Sequence, residues 1–352
     1  MKIVFGIFDW GLGHATRNIP LISALLARGH SVDIISTGRA LILLKNKYGK
    51  RCNYFDVPSI YAPHPKHSFF FFNFAKSIPK MLLNIRKARM ISKWIIANGK
   101  YDKVISDCRY DVYNKVSNSY LITHQVRLRA PLIEEIMEQW LYAQSKKFKY
   151  TLVPDYEKPN LSGRLSHDLK FMPKSKVKCV GVLSHLRKKR VKQNIDYFIT
   201  LSGPEPQRTI LEQQILLNIN KLKGRIVITL GKPESQTITH TKNITVYSFL
   251  DTKKQEDIMN RAKCIVSRSG YTTVMDLVEL GKKKVLFIPT PGQTEQEYLS
   301  RLLSQRSYFY SVSQKKLDLA IDVEKAKKYK GFTPSWKTAE STKYILKLIG
   351  CD

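Results

Sequence analysis

A short apolar run passes directly into a glycine-rich turn near the start of the chain. Residues 3–8 have the composition of a buried strand, and Gly11-Leu12-Gly13-His14 follows them. Residues 19–28 then show a helical period that ends at Gly29. Glycines let the backbone approach a ligand, and a histidine supplies a base that titrates near neutrality. The pattern predicts a catalytic base, His14, at the mouth of an α/β sheet.

Strand-like and helix-like segments alternate through both halves of the chain, which is typical of doubly wound parallel sheets. The predicted strands of the first half are residues 32–36, 53–57, 102–107, 120–125, 150–153 and 177–182. Those of the second half are residues 195–201, 225–230, 245–247, 264–267 and 285–289. A basic connector at residues 184–194 separates the halves, and we interpret it as a solvated linker rather than a nuclear-localisation signal. The sequence predicts an α/β fold with domains at residues 1–188 and 189–334.

The net charge of +32 is unusual for a globular chain of 352 residues. It is compatible with a solvated lysine-rich surface, a nucleic-acid partner or an anionic membrane surface. The five cysteines are scattered without a CxxC pair, which argues against a disulfide framework or a zinc site. Without a signal-like segment or an apolar run of membrane-spanning length, we expect a cytoplasmic protein associated peripherally with the inner face of the cell membrane.

Residues 63–100 break the alternation with an aromatic cluster and a predicted basic helix. No Asp or Glu occurs between Asp56 and Asp102. One interpretation is a core helix with a solvated basic face. The other is an apolar patch ringed by cations, which suits anionic lipid. The residues predicted to form this membrane patch are Phe69, Phe70, Phe71, Phe72, Phe74, Lys76, Lys80, Arg86, Lys87 and Arg89.

Polar residues stand where several predicted strands end, the edge at which open α/β sheets bind ligands. Asp107 and Arg109 follow one such strand, and His124 ends another, as a second site histidine or as a helix-cap partner. In the second half, Ser269 and Gly270 open a helix whose free amides suit a diphosphate, and Asp276 could accept ribose hydroxyls. Each loop taken alone is also ordinary turn chemistry.

Three segments together resemble the GT-B glycosyltransferases of family 28, the MurG-like enzymes that transfer N-acetylglucosamine from UDP to a lipid-linked acceptor. Gly11-Leu12-Gly13-His14 resembles the family's N-terminal glycine loop, whose histidine is the proposed general base. Residues 267–276 resemble the nucleotide-sugar signature, with Asp276 where the family usually has glutamate. Residues 293–298 resemble the loop that holds the donor sugar. The resemblance covers most of the chain and implies two Rossmann-like domains facing a central cleft, with a C-terminal helix at residues 335–350 that packs back on the first domain.

The resemblance also implies which residues surround the substrates. The donor side comprises Gly203, Arg208, Phe249, Leu250, Arg268, Ser269, Gly270, Thr272, Thr273, Asp276, Gln293 and Gln296. The acceptor side comprises Gly11, Gly13, Asp107, Arg109 and His124, and the family's membrane patch falls at about residues 66–100. Residues 202–208 depart from the family's Gly-Gly-Ser loop, because two prolines remove amide donors and Glu205 repels a diphosphate unless it pairs, for example with Arg208.

The implied reaction is a single inverting displacement in which His14 removes the proton of the acceptor hydroxyl. The helix start at Ser269 and Gly270, with Arg268, would stabilise the leaving UDP. The resemblance implies no metal and no other cofactor, and closure about residues 184–194. Two alternatives are a GT-B-fold sugar-nucleotide epimerase and a nucleic-acid-binding protein. Residues 66–100 speak against the first, and the dispersed basic residues and the lack of a common binding module speak against the second.

Overall fold

The computed structural model describes residues 1–58, 70–128, 134–232 and 234–352, and it describes side chains of the helix that begins at Phe70 from residue 83 onward. Its first half forms a seven-stranded parallel sheet in the order β3-β2-β1-β4-β5-β6-β7. The strands are β1 (Lys2–Ile7), β2 (Ser31–Ser36), β3 (Cys52–Asp56), β4 (Lys103–Asp107), β5 (Ser119–Ile122), β6 (Tyr150–Val153) and β7 (Val177–Cys179).

The second half forms another seven-stranded sheet, in the order β10-β11-β9-β8-β12-β13-β14. Its strands are β8 (Ile195–Thr200), β9 (Ile226–Thr229), β10 (Ile238–His240), β11 (Ile244–Tyr247), β12 (Ala262–Ser267), β13 (Val285–Phe287) and β14 (Tyr310–Ser311). All neighbours pair in parallel except β10, which pairs antiparallel with β11. The boundary predicted near residue 188 falls in the segment between β7 and β8.

Helices cover both sheets, as the alternating pattern requires. They are α1 (Gly13–Ala27), α2 (Gly38–Tyr48), α3 (Phe70–Gly99), α4 (Glu134–Ser145), α5 (Gln207–Asn218), α6 (Thr252–Arg261), α7 (Tyr271–Leu280), α8 (Thr294–Gln305), α9 (Leu319–Lys327) and α10 (Thr338–Ile349). Helix α10 contacts α1 of the first half. None of the helices formed by the described residues is long and apolar enough to cross a lipid bilayer.

The strand order reverses once in each sheet, and ligands of doubly wound folds bind where it reverses. In the first sheet this point lies between β1 and β4, where Ile7 pairs with Asp107 and the amide of Phe8 donates to the carbonyl of Asp107 at 3.1 Å. In the second sheet it lies between β8 and β12. The topology therefore places the glycine loop after β1 and the Ser269 segment after β12 at the two expected binding edges.

Helix α1 begins at Gly13, six residues earlier than the sequence predicts, so His14 lies in the first turn of the helix rather than on a preceding loop. The prediction was wrong because Thr16-Arg17-Asn18 is polar and Pro20 is typical of a helix start. In the folded chain Arg17 and Asn18 are buried and hydrogen-bonded, and Pro20 is accommodated inside the helix. Tertiary contacts, which local sequence does not show, override the local preference.

Candidate active site

His14 and Asp107 form a hydrogen-bonded pair where β4 ends and α1 begins. Nδ1 of His14 lies 2.6 Å from Oδ1 of Asp107. The Asp107 carboxylate is fully buried, whereas the imidazole keeps 16% of its surface exposed. The ring of Phe8 packs edge-on against the imidazole with centroids 5.3 Å apart. The pair thus has a buried carboxylate that orients a histidine with access to the cleft.

Two further residues of α1 hold the same carboxylate. The Nε of Arg17 donates to Oδ2 of Asp107 at 2.6 Å, and a second guanidinium nitrogen donates to Oδ1. The amide of Asn18 donates to Oδ2 and also to the His14 carbonyl, the latter at 2.8 Å. Positions 14, 17 and 18 share one helical face, because residues three and four apart are neighbours on a helix. Three side chains of one helix therefore hold Asp107 in place.

The charges around the pair determine which nitrogen of His14 carries the proton. Burial alone would raise the pKa of Asp107, but the charge of Arg17 and the hydrogen bonds with His14 and Arg17 hold it well below its usual range, so the carboxylate only accepts hydrogen bonds. Burial and the positive charge of Arg17 lower the pKa of His14, which favours the neutral ring. Nδ1–H then donates to Asp107, and Nε2 keeps a lone pair. Among the described residues, none hydrogen-bonds Nε2.

The described residues contain one cluster with metal-ligand chemistry, His14, Asp107 and Cys108, whose ligand atoms lie within 4.8 Å of one another. Its electrostatics do not fit a cation. The guanidinium of Arg17 already neutralises Asp107, and one of its nitrogens lies 3.7 Å from Sγ of Cys108. Burial raises the pKa of the Cys108 thiol to about 12, so the thiolate that a metal needs is absent near neutrality. These side chains suit proton transfer better than metal binding.

His124, predicted as a cleft residue, lies between this group and the second sheet. Its Nδ1 is 3.0 Å from a nitrogen of Arg17, and its Nε2 is 3.1 Å from Oε1 of Glu295 at the start of α8. The ring stacks on Tyr271, the first residue of α7, at 4.4 Å between centroids. His124 thus contacts both halves of the chain, and its role as a site histidine stays a prediction.

The first turns of α1 and α7 meet face to face. A Cβ added to Gly13 would lie 2.6 Å from Oγ1 of Thr272, so this glycine permits the close approach of the two halves. Gly11 has a φ of +80°, and no atom of the described residues lies within 4 Å of the place of a Cβ. Within the described part of the chain, the space beside Gly11 is therefore open. The space beside Gly13 is occupied by α7.

The predicted diphosphate site lies at the start of α7. Gly270 precedes the helix, and a Cβ there would meet only Oγ1 of Thr273, at 4.0 Å. The hydroxyl of Ser269 donates to the carbonyl of Gln296 at 2.9 Å, which ties this turn to the predicted donor-sugar loop. The amide of Thr290 donates to the side chain of Gln296 at 2.9 Å, and Gln296 in turn binds Gln293. Open space at the helix start and a braced loop beside it suit a bound anion.

Arg268 supplies positive charge behind this site rather than at its surface. Its guanidinium is buried and donates to the carbonyls of Ser202, Gln207, Ile288 and Pro289 at 3.0–3.3 Å. Burial lowers its pKa to about 10, so it stays charged near neutrality. A Cβ on Gly203 would lie 3.9 Å from its Nε. Arg268 therefore joins the loops after β8 and β13 and leaves a net positive charge beneath them.

Arg208 forms an ion pair with Glu205, as the sequence predicts. Arg208 is hydrogen-bonded to Glu205 and to Glu212, the latter at 2.6 Å, and to the Leu230 carbonyl at 3.2 Å. Two carboxylates thus neutralise the guanidinium, and a direct donor contact of Arg208 stays a prediction. Phe249 is 41% exposed beside the buried Leu250, between β11 and α6. An exposed ring there is available to flank a base.

Asp276 lies deeper than its predicted ribose contact suggests. Its carboxyl accepts a hydrogen bond of 2.5 Å from the hydroxyl of Ser184, at the start of the connector between the halves. Nδ1 of His185 lies 3.9 Å from Oδ1 of Asp276. This nitrogen is buried and has no hydrogen-bond partner among the described residues. Burial raises the pKa of Asp276 to about 7. Near neutrality, Asp276 is therefore protonated in about half of the molecules. Its contact with the ribose stays a prediction.

We expect Asp276→Asn to change how stability depends on pH. Because the folded pKa is raised above the unfolded value, the folded chain holds a proton that the unfolded chain releases, so stability from this group is present at low pH and is lost as the pH rises through about 7. Asp276 alone contributes a loss of about 3 kcal/mol between pH 5 and pH 8, so the change in stability over this range should differ between wild type and variant by about that amount. Denaturant unfolding of both proteins at both pH values measures it. If wild type and variant differ in stability by the same amount at both pH values, Asp276 does not have the raised pKa that we assign to it.

Two arginines do not lie where the sequence predicts them. Arg109 was expected on the acceptor side of the cleft and Arg89 on the membrane patch, but both pack against the protein. Arg109 is buried, forms a bidentate pair with Asp111 at 2.8 Å and donates to the Val57 carbonyl at 3.1 Å, so it anchors the loop after β4. Arg89 lies over the ring of Tyr113, 3.4 Å from its centroid, and donates to the carbonyls of Asp111 and Tyr113. The sequence did not reveal these inward partners, and Arg89 is not a free cation of the patch. Phe69 and the side chains of Phe70, Phe71, Phe72, Phe74, Lys76 and Lys80 lie outside the described residues.

Sequence reasoning missed Arg17, Asn18 and Glu295 as members of the site. Positions 14, 17 and 18 have helical spacing. This spacing would have indicated Arg17 and Asn18 if α1 had been predicted to begin at Gly13. Glu295 was noted only as part of a loop. Its contact with His124 spans 171 positions, which no local pattern reveals.

Comparison with known proteins bears on both halves. Residues 1–128 match a family model described as glycosyl transferase family 1, and residues 206–346 match the glycosyltransferase family 28 C-terminal domain. An uncharacterized glycosyltransferase from Methanosarcina mazei is 24% identical over 341 residues, which cover 88% of this chain and 84% of that protein.

Solved structures share the fold over nearly the whole chain. MurG from Acinetobacter baumannii aligns over 99% of both chains with a TM-score of 0.58 at 12% identity. A Streptomyces glycosyltransferase complexed with thymidine diphosphate aligns over 100% of both chains, with a TM-score of 0.56 at 15% identity. A putative UDP-N-acetylglucosamine 2-epimerase from Listeria monocytogenes aligns over 99% of this chain and 95% of its own, with a TM-score of 0.59 at 10% identity.

The structural likeness establishes the GT-B fold, and the two matched family models, both of glycosyltransferases, establish the class of enzyme. The expected α/β architecture of two Rossmann-like domains is confirmed. This chain is a glycosyltransferase of the GT-B fold, and residues 206–346 of its C-terminal half match the family 28 C-terminal domain.

Proposed function

We propose that the enzyme transfers N-acetylglucosamine or a related hexose from a UDP-sugar to a hydroxyl of a lipid-linked or cell-envelope glycan, with inversion and without a metal. The observation that carries the proposal is the His14–Asp107 pair, because the hydrogen bond at Nδ1 leaves Nε2 of the neutral ring with a lone pair. Nε2 takes the proton of the acceptor hydroxyl as the oxygen attacks the anomeric carbon. The bond between that carbon and the diphosphate oxygen breaks, and UDP leaves with the electron pair.

The donor side supports the same reaction. Negative charge grows on the diphosphate as it leaves, and the start of α7 at Gly270 directs backbone amides toward it. The buried charge of Arg268 adds a favourable field. The bound thymidine diphosphate of the Streptomyces neighbour supports a nucleotide-sugar donor. UDP and N-acetylglucosamine rest on the family resemblance.

Product analysis tests the proposal. Purified protein is incubated with UDP-N-acetylglucosamine, with and without a membrane lipid extract. Mass spectrometry measures the mass of the products, and proton NMR determines their anomeric and C2 configuration. We expect UDP release to depend on the extract and a lipid to gain one N-acetylhexosamine of inverted anomeric configuration. Conversion of the free donor to its 2-epimer, without any need for lipid, would instead support the epimerase alternative that the Listeria neighbour raises.

The described part of α3 supports a peripheral membrane contact. Leu83, Met90 and Trp94 are 57%, 71% and 67% exposed. Their spacing of seven and four residues places them on one helical face, and the exposed Arg86 and Lys87 lie beside them. An exposed apolar stripe with neighbouring cations suits the headgroup region of an anionic bilayer. We therefore propose that α3 rests on the inner face of the cell membrane, which would bring the enzyme to a lipid-linked acceptor.

The double variant Met90→Gln/Trp94→Gln is expected to bind anionic vesicles at least about tenfold more weakly, because each buried apolar side chain contributes about 1.5–3 kcal/mol. Vesicle sedimentation at fixed salt measures the affinity. Leu217→Gln, at an exposed apolar position on α5, serves as the matched control and should bind as the wild type does. Unchanged vesicle affinity in the double variant would contradict the docking proposal, and tighter binding to duplex DNA than to vesicles would favour a nucleic-acid partner.

A further inference from the structure

Helix α8 begins within the predicted donor-sugar loop and reaches the first domain. Near its start, Glu295 lies 3.1 Å from His124. Just beyond its end, Arg306 donates to the carbonyl of Asn160 at 2.6 Å. One helix of the donor domain thus contacts the acceptor domain at both of its ends. Only the contact at Glu295 leads to the base.

The hydrogen bonds of His124 have a fixed direction. Arginine only donates hydrogen bonds, so Nδ1 of His124, 3.0 Å from the Arg17 guanidinium, must accept. Nε2 therefore carries the proton of the neutral ring and donates to Glu295. The stack on Tyr271 prevents the ring from turning without loss of that contact. His124 in this tautomer connects the carboxylate of Glu295 to the guanidinium that binds Asp107.

The charge of Glu295 acts on the same group. Burial alone would raise the pKa of Glu295, but its interaction with His124, a proton on His14 and the charge of Arg17 lower it. The effect is reciprocal, because a carboxylate that is stabilised by a protonated histidine stabilises that protonated form equally. Arg17 opposes protonation of His14, and by this reciprocity the negative charge of Glu295 favours it. The carboxylate therefore makes His14 a stronger base.

We propose that Glu295 is a positioning residue through which placement of the donor loop strengthens His14 as a base. The inference rests on the proposed function for the role of His14, and it goes beyond it by making the base depend on the donor domain. When the two domains part, Glu295 moves away with α8, and His14 loses the negative charge that Glu295 adds to that of Asp107. When the loop lies in place, the carboxylate returns and the base gains strength. Proton removal is thereby reserved for the state in which the donor domain is engaged.

The test is a pH titration of the His14 ring in the full chain by NMR, with and without saturating UDP. Its signal among the eight histidines is assigned by its absence in His14→Gln. The charged and titratable groups that face the two histidines are Asp107, Arg17, Cys108, Glu295 and Tyr271. Removing the negative charge by Glu295→Gln is expected to lower the pKa of His14 relative to the wild type, because less negative charge remains to stabilise the protonated ring. Glu295→Ala provides a second variant and should shift it in the same direction.

The matched control is Arg306→Gln, which removes the contact at the other end of α8 and leaves the base untouched. Its His14 titration should coincide with that of the wild type. An unchanged titration in both Glu295 variants, or an equal shift in Arg306→Gln, would overturn the proposal.

Two further measurements separate this inference from the proposed function. Calorimetry with UDP shows whether the nucleotide binds. If UDP fails to bind the wild type, the proposed donor is wrong, while the titration of the nucleotide-free protein still decides the role of Glu295. With an active donor and acceptor, Glu295→Gln is expected to lower the plateau of kcat about threefold to tenfold and to move the acid limb of the pH profile to lower pH, because a weaker base is deprotonated at lower pH.

Discussion

His14→Ala is expected to abolish sugar transfer and to leave binding of the donor nucleotide intact. General-base catalysis contributes about 10²–10⁴-fold, so kcat should fall by at least about a hundredfold. The loss corresponds to about 3–5 kcal/mol of transition-state stabilisation. Nucleotide affinity should survive because the predicted diphosphate contacts lie at the start of α7, in the other domain. Initial rates at saturating donor and calorimetry with UDP measure the two quantities separately.

His240→Ala is the control for this variant, since His240 is exposed on β10 at the edge of the second sheet. It should retain wild-type rates. Activity of His14→Ala within a few-fold of wild type would remove this histidine from the mechanism. Loss of UDP binding together with activity would instead show that the variant disturbs the donor domain.

Asp107→Asn is expected to impair both stability and catalysis. The buried guanidinium of Arg17 loses its carboxylate, and an uncompensated buried charge costs about 3–5 kcal/mol. An amide also offers a donor to Nδ1 of His14, which permits the wrong tautomer, and such a change in a buried histidine–carboxylate pair costs up to about 10⁴ in kcat. Denaturant unfolding and initial rates measure the two effects.

The pH dependence of stability gives an independent check on Asp107. Its folded pKa lies below the unfolded value, so its contribution is present above about pH 4 and is lost as the pH falls. The variant should lack this loss. Asp155→Asn is the matched control, because Asp155 is also buried in the first domain and lies 3.0 Å from His167. It should lose stability and keep the wild-type pH profile of transfer, and an equal catalytic loss there would assign the effect to folding.

The sequence revealed the features of the fold that arise from local pattern. Short apolar runs alternate with helical periods, which indicates parallel sheets, and the carboxyl ends of neighbouring parallel strands lie at one edge. His14 and Asp107 therefore come together as residues that follow β1 and end β4. The strands β10 and β14 were not predicted, because they have only three and two residues and too little pattern to detect. The helix α9 was not predicted either.

The remainder of the site depends on contacts between distant parts of the chain. Arg17 reaches Asp107 across 90 positions, and Arg109 turns inward because Asp111 neutralises it. Neither partner follows from residue type, because a surface arginine and a buried arginine look alike in sequence. Glu295 illustrates the same limit between domains. Sequence motifs thus pointed to the candidate base, whereas the structure identified the side chains that hold its carboxylate partner.

The close approach of Gly13 to Thr272 has an electrostatic consequence for the reaction cycle. Two helices of opposite domains point their amino ends at each other, so two partial positive charges meet across the cleft. An anion at the start of α7 would be attracted by both helix ends. We therefore expect a bound diphosphate to favour the contact between Gly13 and Thr272, and its departure to weaken that contact.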